Sequence, residues 1–254
     1  MPFVTVASQR LEVRRIGIAR PGRPTLVFLH EGLGSVSMWR GFPAQVARAT
    51  GLSAVVYSRR GYGRSEPLTG PRDVRYMHDE ALVVLPAFLD RLGIECPILI
   101  GHSDGGSIAL IHAGGAQRPL VGVVTLAAHV LVEDLSVSSI AAARQEFETT
   151  DMRKKLARHH ADVDSVFWSW NRIWLAPEFR GWNIEEYLPV ITCPVLAIQG
   201  EDDEYGTMEQ MRRIGAKVAN VELVMLPDCG HSAHKDRPDA VIEAITGFVD
   251  RVAG

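Results

Sequence analysis

The sequence predicts an α/β protein with a mostly parallel central sheet flanked by helices, and three observations predict it. Short, continuous apolar runs recur at 25–29, 53–57, 97–100, 121–127, 194–199 and 221–226. They do not alternate, as strands buried on both faces should not. Helical patterns near 38–49, 77–92, 105–115, 207–218 and 238–252 separate them. Strand–helix alternation of this kind implies parallel pairing with helices on both sheet faces. Residues 2–18 alternate more and read as an antiparallel pair at one edge, which makes 25–29 the third strand and 121–127 the sixth.

One stretch breaks the rhythm. Residues 129–193 separate two core strands by more than a usual connection, and a structureless loop of that length is improbable in a compact domain. Helical patterns at 137–148, 151–160 and 163–175 suggest a helical cap inserted after the sixth strand. The expected division is a core of 1–128 and 194–254 with a cap of 129–193.

Composition narrows the function. The 254 residues carry a net charge of −3, with 46% hydrophobic and 22% charged residues. No broad basic footprint is available for nucleic acid. The run Arg153-Lys154-Lys155 with Arg158 reads as a solvated helix face. Three cysteines, Cys96, Cys193 and Cys229, are too few and odd in number for a disulfide framework. Cys96 and Cys193 each precede Pro and an apolar run, which suggests packing. The first residues show no signal-peptide pattern, and no stretch reaches the roughly 18 apolar residues of a membrane span. A soluble, cytoplasmic protein acting on a small molecule is expected, with monomer or homodimer left open. No dinucleotide fingerprint, Walker loop or credible metal-ligand cluster appears, so no cofactor or metal is expected.

The chemistry is concentrated after 97–100. That strand runs into Gly101-His102-Ser103-Asp104-Gly105-Gly106 and then a helical pattern. This is G-x-S-x-G between strand and helix, where a serine sits on a strained turn that needs small residues two before and two after. A frame with Asp104 as nucleophile puts His102 where a small residue is required. Ser103 is therefore the expected nucleophile, with the helix N-terminus beside developing negative charge.

A serine hydroxyl needs a base. His231 follows the run 221–226 on a loop that can reach across the carboxyl edge of the sheet, with His234 as its competitor. His30 and His102 are expected to line or brace the site, His112 and His129 lack position for the base role, and His159-His160 read as surface residues. An acid should lie between serine and histidine in chain order. The run Glu201-Asp202-Asp203-Glu204 supplies four carboxylates, and spacing does not choose among them. The loop His30-Glu31-Gly32-Leu33-Gly34-Ser35 follows the third strand. A backbone N–H from it, paired with that of Asp104, would form an oxyanion hole, each donor worth about 3 kcal/mol.

These residues resemble the α/β-hydrolase superfamily over essentially the whole chain. The matching segments are His30 to Trp39, Arg60-Gly61-Tyr62-Gly63-Arg64-Ser65, Gly101 to Gly106, Gly200 to Asp203, and Gly230-His231 with Pro238. The chain looks most like capped esterases, lactonases and carbon–carbon bond hydrolases. The resemblance implies the α/β-hydrolase fold and a triad of Ser103, Asp203 and His231, the acid lying three residues after the strand-end glycine. Two positions depart from the family. Glu31 replaces the glycine of a His-Gly pair, which moves the expected oxyanion donor to Gly32, with Leu33 next. Ser58 stands where an acidic residue is usual.

The expected cap is rich in aromatics, and Phe167, Trp170 and Trp174 share one helical face. They either seat the cap or contact substrate. Glu31, Leu33, Trp170 and Trp174 are the expected substrate-side residues. The expected activity is cleavage of a carboxylic ester with an apolar or aryl part through an acyl-enzyme. A lactonase, thioesterase or carbon–carbon hydrolase, or a ligand receptor on the same fold, are the alternatives.

Overall fold

The computed structural model describes residues 2–253. Eight strands form one sheet: β1 (Phe3–Val6), β2 (Gln9–Ile16), β3 (Thr25–Leu29), β4 (Ser53–Tyr57), β5 (Pro97–His102), β6 (Gly122–Leu126), β7 (Val195–Gly200) and β8 (Val221–Leu226). Their order is β1-β2-β4-β3-β5-β6-β7-β8. β1 pairs antiparallel with β2, and β2 with β4; all other pairs are parallel. The edge hairpin and the six apolar runs thus stand where the sequence predicts them.

From β3 to β7 the continuous apolar runs follow from two buried faces; β8 departs from that expectation, because it is the sheet's edge and leaves Leu223 and Met225 exposed. In β3, Leu26 and Phe28 join one hydrophobic cluster, while Val27 and Leu29 join the other. The Phe28 face is covered by α1 (Phe42–Thr50) and α10 (Pro238–Val252). The Val27 face is covered by α3 (Leu85–Leu92), α4 (Asp104–Gly115) and α8 (Glu209–Lys217). α4 is buried on every side from Asp104 to His112, as its lack of an amphipathic pattern requires.

Between β6 and β7 the chain forms α5 (Asp134–Thr149), α6 (Met152–Leu156), α7 (Val163–Leu175) and two 3-10 turns. α7 starts because the Asp162 side chain accepts the Ser165 N–H at 3.0 Å, a side-chain N-cap. It stops at Ala176, which is extended before Pro177, where the proline ring disfavours helix. α6 ends at Leu156, so the His159-His160 pair lies beyond it in a turn. Cys96 is exposed, so packing does not explain it; Cys193 is buried as expected.

The helical pattern 77–92 is one helix with a widened turn: α2 (Tyr76–Asp79), a π-helical stretch Glu80–Val84, and α3. The Leu85 N–H donates to the Glu80 carbonyl, one residue further back than in an α-helix. Pro86 has no N–H to offer and its ring would crowd a regular turn. The Ala81 carbonyl therefore lacks a backbone donor. Buried His112 on α4 supplies one, its Nδ1–H lying 2.7 Å away. His112→Leu should destabilise the protein by about 1–3 kcal/mol, the cost of an orphaned buried acceptor. Adding Pro86→Ala, which restores an N–H, should recover part of the loss in urea unfolding.

Candidate active site

Ser103 stands between β5 and α4 with φ 53° and ψ −119°. A non-glycine residue holds such a conformation only when its surroundings impose it. Here the backbone on either side does. A Cβ on Gly105 would stand 2.0 Å from the Leu29 carbonyl oxygen, and one on Gly101 would stand 2.1 Å from the Gly105 carbonyl oxygen. The small residues demanded by the motif are demanded by backbone-to-backbone contact, which leaves the Ser103 side chain at the wall of a cavity.

The loops after β7 and β8 are fused in the same way. A Cβ on Gly200 would lie 2.0 Å from the Cys229 carbonyl oxygen. The Asp202 N–H donates to that carbonyl at 3.0 Å and the Glu201 N–H to Leu226 at 2.9 Å. This sets Asp203 beside His231, whose Nδ1–H donates to Asp203 Oδ1 at 2.8 Å. Oδ1 also accepts the N–H groups of Tyr205 at 2.9 Å and Gly206 at 3.2 Å. Burial raises the Asp203 carboxyl, but the His231 bond and charge outweigh it and hold the group below its ordinary range.

Of the four consecutive acids only Asp203 is buried. Glu201 and Asp202 face water. Glu204 departs from the expectation of a solvated neighbour: its carboxylate accepts the His231 backbone N–H at 3.0 Å. His234, the competing base, is packed behind the site against Trp39, Phe42 and His102. Among the described residues no hydrogen bond joins Ser103 Oγ to the His231 ring, although both line the same cavity; such bonds often tighten only with substrate.

The loop after β3 is pinned from below. His30 Nε2 accepts the Arg59 N–H at 3.0 Å, so its Nδ1 carries the proton and donates to the Glu31 carbonyl at 2.7 Å. The Arg59 guanidinium donates to the carbonyls of His30 and, at 3.0 Å, of Glu31. Among the described residues the N–H groups of Gly32, Leu33 and Asp104 find no acceptor within the protein. The Glu31 carboxylate folds back over Gly34, where a Cβ would meet it at 2.3 Å. It faces His102 Nδ1 at 3.5 Å, an ion-pair distance too long for a strong hydrogen bond. The other nitrogen of His102 donates to the His231 carbonyl at 2.9 Å. Burial raises the Glu31 carboxyl, yet the facing His102 and the charge of Lys235 hold it well below the ordinary range.

Several residues of this site escaped sequence reasoning. His160 is buried, not a surface residue: its Nδ1 accepts the Gly63 N–H at 2.9 Å and its Nε2–H donates to the Leu33 carbonyl at 2.9 Å. Glu12 on β2 brings a buried carboxylate beside Ser58. It accepts from Ser58 Oγ at 2.8 Å and from the Arg64 N–H at 3.0 Å, and so supplies from another strand the acid missing at position 58. His129, excluded as a base, lines the cavity with Nδ1 buried and unpartnered. Tyr76 and Arg59 both face the Asp104 carboxylate, at 2.8 and 3.7 Å. A histidine or tyrosine of this kind carries no local pattern that marks it.

The cavity holds about 260 Å³. Ser103, His231 and Glu31 form one side, and Ile140, Met152, Leu156, Trp170 and Trp174, from between β6 and β7, form the other. Gly32 and Leu33 are also on its wall. No group of three or more metal-ligating side chains occurs among the described residues, and none of their helices is long and apolar enough to cross a membrane.

The chain belongs to the Alpha/beta hydrolase family, whose sequence profile matches residues 26–244. It is 28% identical over 254 aligned residues to RutD of Caulobacter sp. (strain K31), provisionally named a carbamate hydrolase, covering 88% of this chain and 90% of that one. It is 23% identical to a 2-hydroxy-6-oxononadienedioate/2-hydroxy-6-oxononatrienedioate hydrolase of Cupriavidus pinatubonensis, covering 97% and 94%. A carboxylesterase structure from Nitrososphaera gargenis superposes with a TM-score of 0.79 at 21% identity, over 99% of this chain and 98% of that one. The enol-lactonase of Burkholderia xenovorans LB400 gives 0.77 at 22% identity, over 98% and 100%. At these identities the two structures speak for the fold alone.

Buried histidines make stability depend on pH. Burial pushes His129 down to about 3 and His234 down to about 2 from the ordinary 6.5. Below 6.5 the unfolded chain takes up protons that these rings refuse in the fold, so stability falls as pH falls. Each ring should contribute about 1.4 kcal/mol per pH unit of this slope. Urea unfolding between pH 6.5 and 5 checks it: His234→Phe should flatten the slope relative to the unmodified chain, and an unchanged slope would remove His234 from the account.

Proposed function

We propose that this α/β hydrolase is a serine esterase that cleaves a carboxylic ester with an apolar or aryl part through an acyl-enzyme. One observation carries the reading. A serine on a left-handed strand-to-helix turn shares a cavity with a histidine whose far nitrogen is bonded to a buried, ionised carboxylate. Ser103 is the nucleophile, His231 the base and Asp203 the acid. In this scheme His231 takes the Ser103 Oγ proton as Oγ attacks the ester carbonyl. The N–H groups of Gly32 and Asp104 then receive the oxyanion. His231 gives its proton to the departing alkoxide, and water repeats the sequence to release the acid. Asp203 holds the imidazole in its Nδ1–H tautomer and offsets the charge that forms on it.

Glu31 fits this scheme as a site-lining group that does not act as the base. A carboxylate aimed at the oxyanion would oppose it, and that of Glu31 is folded back over Gly34. Residues 129–193 act as a cap, with the apolar wall from Ile140 to Trp174 setting a small or medium substrate size. The three unpaired thiols suit a reducing compartment, and the reading places the protein in the cytoplasm. The substrates in the relatives' names, a carbamate and a 2-hydroxy-6-oxononadienedioate, define the competing substrates.

A panel of p-nitrophenyl esters, lactones, thioesters and vinylogous diketones tests the substrate class, with multiple turnovers expected on short esters. Turnover confined to diketones would remove the esterase reading, and single-turnover labelling would point to a receptor. Ser103→Ala should lower kcat by several orders of magnitude with the fold intact, and Asp203→Asn by about 10⁴-fold. Asp202→Asn should cost little, since exposed carboxylates contribute little. Glu204→Gln should fall between them, because it loosens the His231 main chain. Wild-type activity in Asp203→Asn would refute the assignment of the acid.

A further inference from the structure

We propose that one face of α7 braces both backbone donors of the oxyanion hole, so that the segment between β6 and β7 positions the reacting groups as well as enclosing substrate. The inference rests on the reading of Gly32 and Asp104 as those donors. Trp170 and Trp174 are four residues apart, one turn along the same helical face. Each reaches one donor.

Trp170 lies directly on Gly32. A Cβ at Gly32 would stand 2.2 Å from the indole Nε1, so the loop at this point has room for no side chain while the tryptophan is in place. The adjacent Leu33 carbonyl is held by His160 from the turn that precedes α7. The loop is thus fixed on its upper side by two residues of the cap segment and on its lower side by Arg59 and His30.

Trp174 reaches Asp104 through a relay. Its Nε1–H donates to the Tyr76 hydroxyl at 3.1 Å, and that hydroxyl donates to Asp104 Oδ2 at 2.8 Å. Arg59, 3.7 Å from the same oxygen, completes the set. Among the described residues Asp104 Oδ1 has no partner, so Oδ2 carries the carboxylate's hydrogen bond and ion pair. This fixes the first residue of α4, whose N–H is the donor. Arg59 serves both halves: the same guanidinium holds the Glu31 carbonyl and faces Asp104.

Tyr76 separates this role from substrate contact, because it does not line the cavity. Tyr76→Phe removes only the hydroxyl and keeps the ring against Phe179. On an ester panel kcat should fall about tenfold for every substrate with KM within about twofold, less than the 10²–10³-fold of losing a donor outright. Binding of a trifluoromethyl ketone, whose adduct carries the oxyanion, should weaken by a similar factor, which a merely structural role would not produce. In the Tyr76→Phe background, Trp174→Phe should lower kcat by less than it does alone, since both break one relay. Unchanged kcat and ketone affinity in Tyr76→Phe, or full additivity of the two substitutions, overturns the brace. Should Tyr76→Phe fail to fold by circular dichroism, Trp174→Phe is measured alone, with loss of ketone affinity expected and its retention fatal. An unmodified protein that neither turns over esters nor is labelled at Ser103 by a fluorophosphonate defeats the esterase reading itself.

Discussion

Close backbone packing around Ser103 is the constraint on which the rest of this site depends. The serine keeps its strained φ because Gly101 and Gly105 let β5, the start of α4 and the end of β3 approach to distances that no Cβ would allow. That contact fixes three things together. It aims the Ser103 side chain into the cavity, it leaves the first N–H groups of α4 without helical acceptors, and it lays the Glu31–Gly34 loop alongside them. A third glycine, Gly200, does the same for the loops that carry Asp203 and His231. Strain at the elbow is therefore held by the sheet order itself, since β3, β5 and β6 are neighbours in it.

Around this frame, buried polar groups are arranged so that each holds a neighbour. His30 and Arg59 fix the Glu31 carbonyl, His102 stands between the Glu31 carboxylate and the His231 main chain, and Glu204 takes the His231 N–H. Buried polar groups without partners are costly, and this network carries several: among the described residues His102 Nδ1, His129 Nδ1, Asp104 Oδ1 and Asp203 Oδ2 are buried with no hydrogen-bond partner. Its imidazoles stay neutral where burial dominates, as at His129 and His234, and this couples the acid stability of the fold to the architecture of the site.

The segment between β6 and β7 is more than a lid resting on a finished core. Its helices share one hydrophobic cluster with the sheet face beneath. Trp170 abuts Gly32, His160 bonds to the Leu33 carbonyl, and Trp174 bonds to Tyr76 on α2. Trp170 thus both lines the cavity and touches the loop that carries Gly32 and Leu33, which is what the proposed brace requires of it.

The sequence by itself determined the centre of the sheet, because strands buried on both faces read as continuous apolar runs and the crossovers between parallel strands read as helical patterns. It determined the elbow as well, since only glycines at 101 and 105 permit the turn. The placement of Asp203 beside His231 came from a family offset; spacing left four carboxylates open, and only the packing of Gly200 on Cys229 selects one. Tertiary structure alone decided the rest. Glu12 reaches Ser58 from another strand, His160 lies beyond the end of α6 and clamps two loops, Glu204 holds the His231 backbone, and Tyr76 joins α7 to Asp104. None of these has a periodic or local signal, because each is a contact between residues distant in the chain whose meeting depends on how the sheet orders its strands.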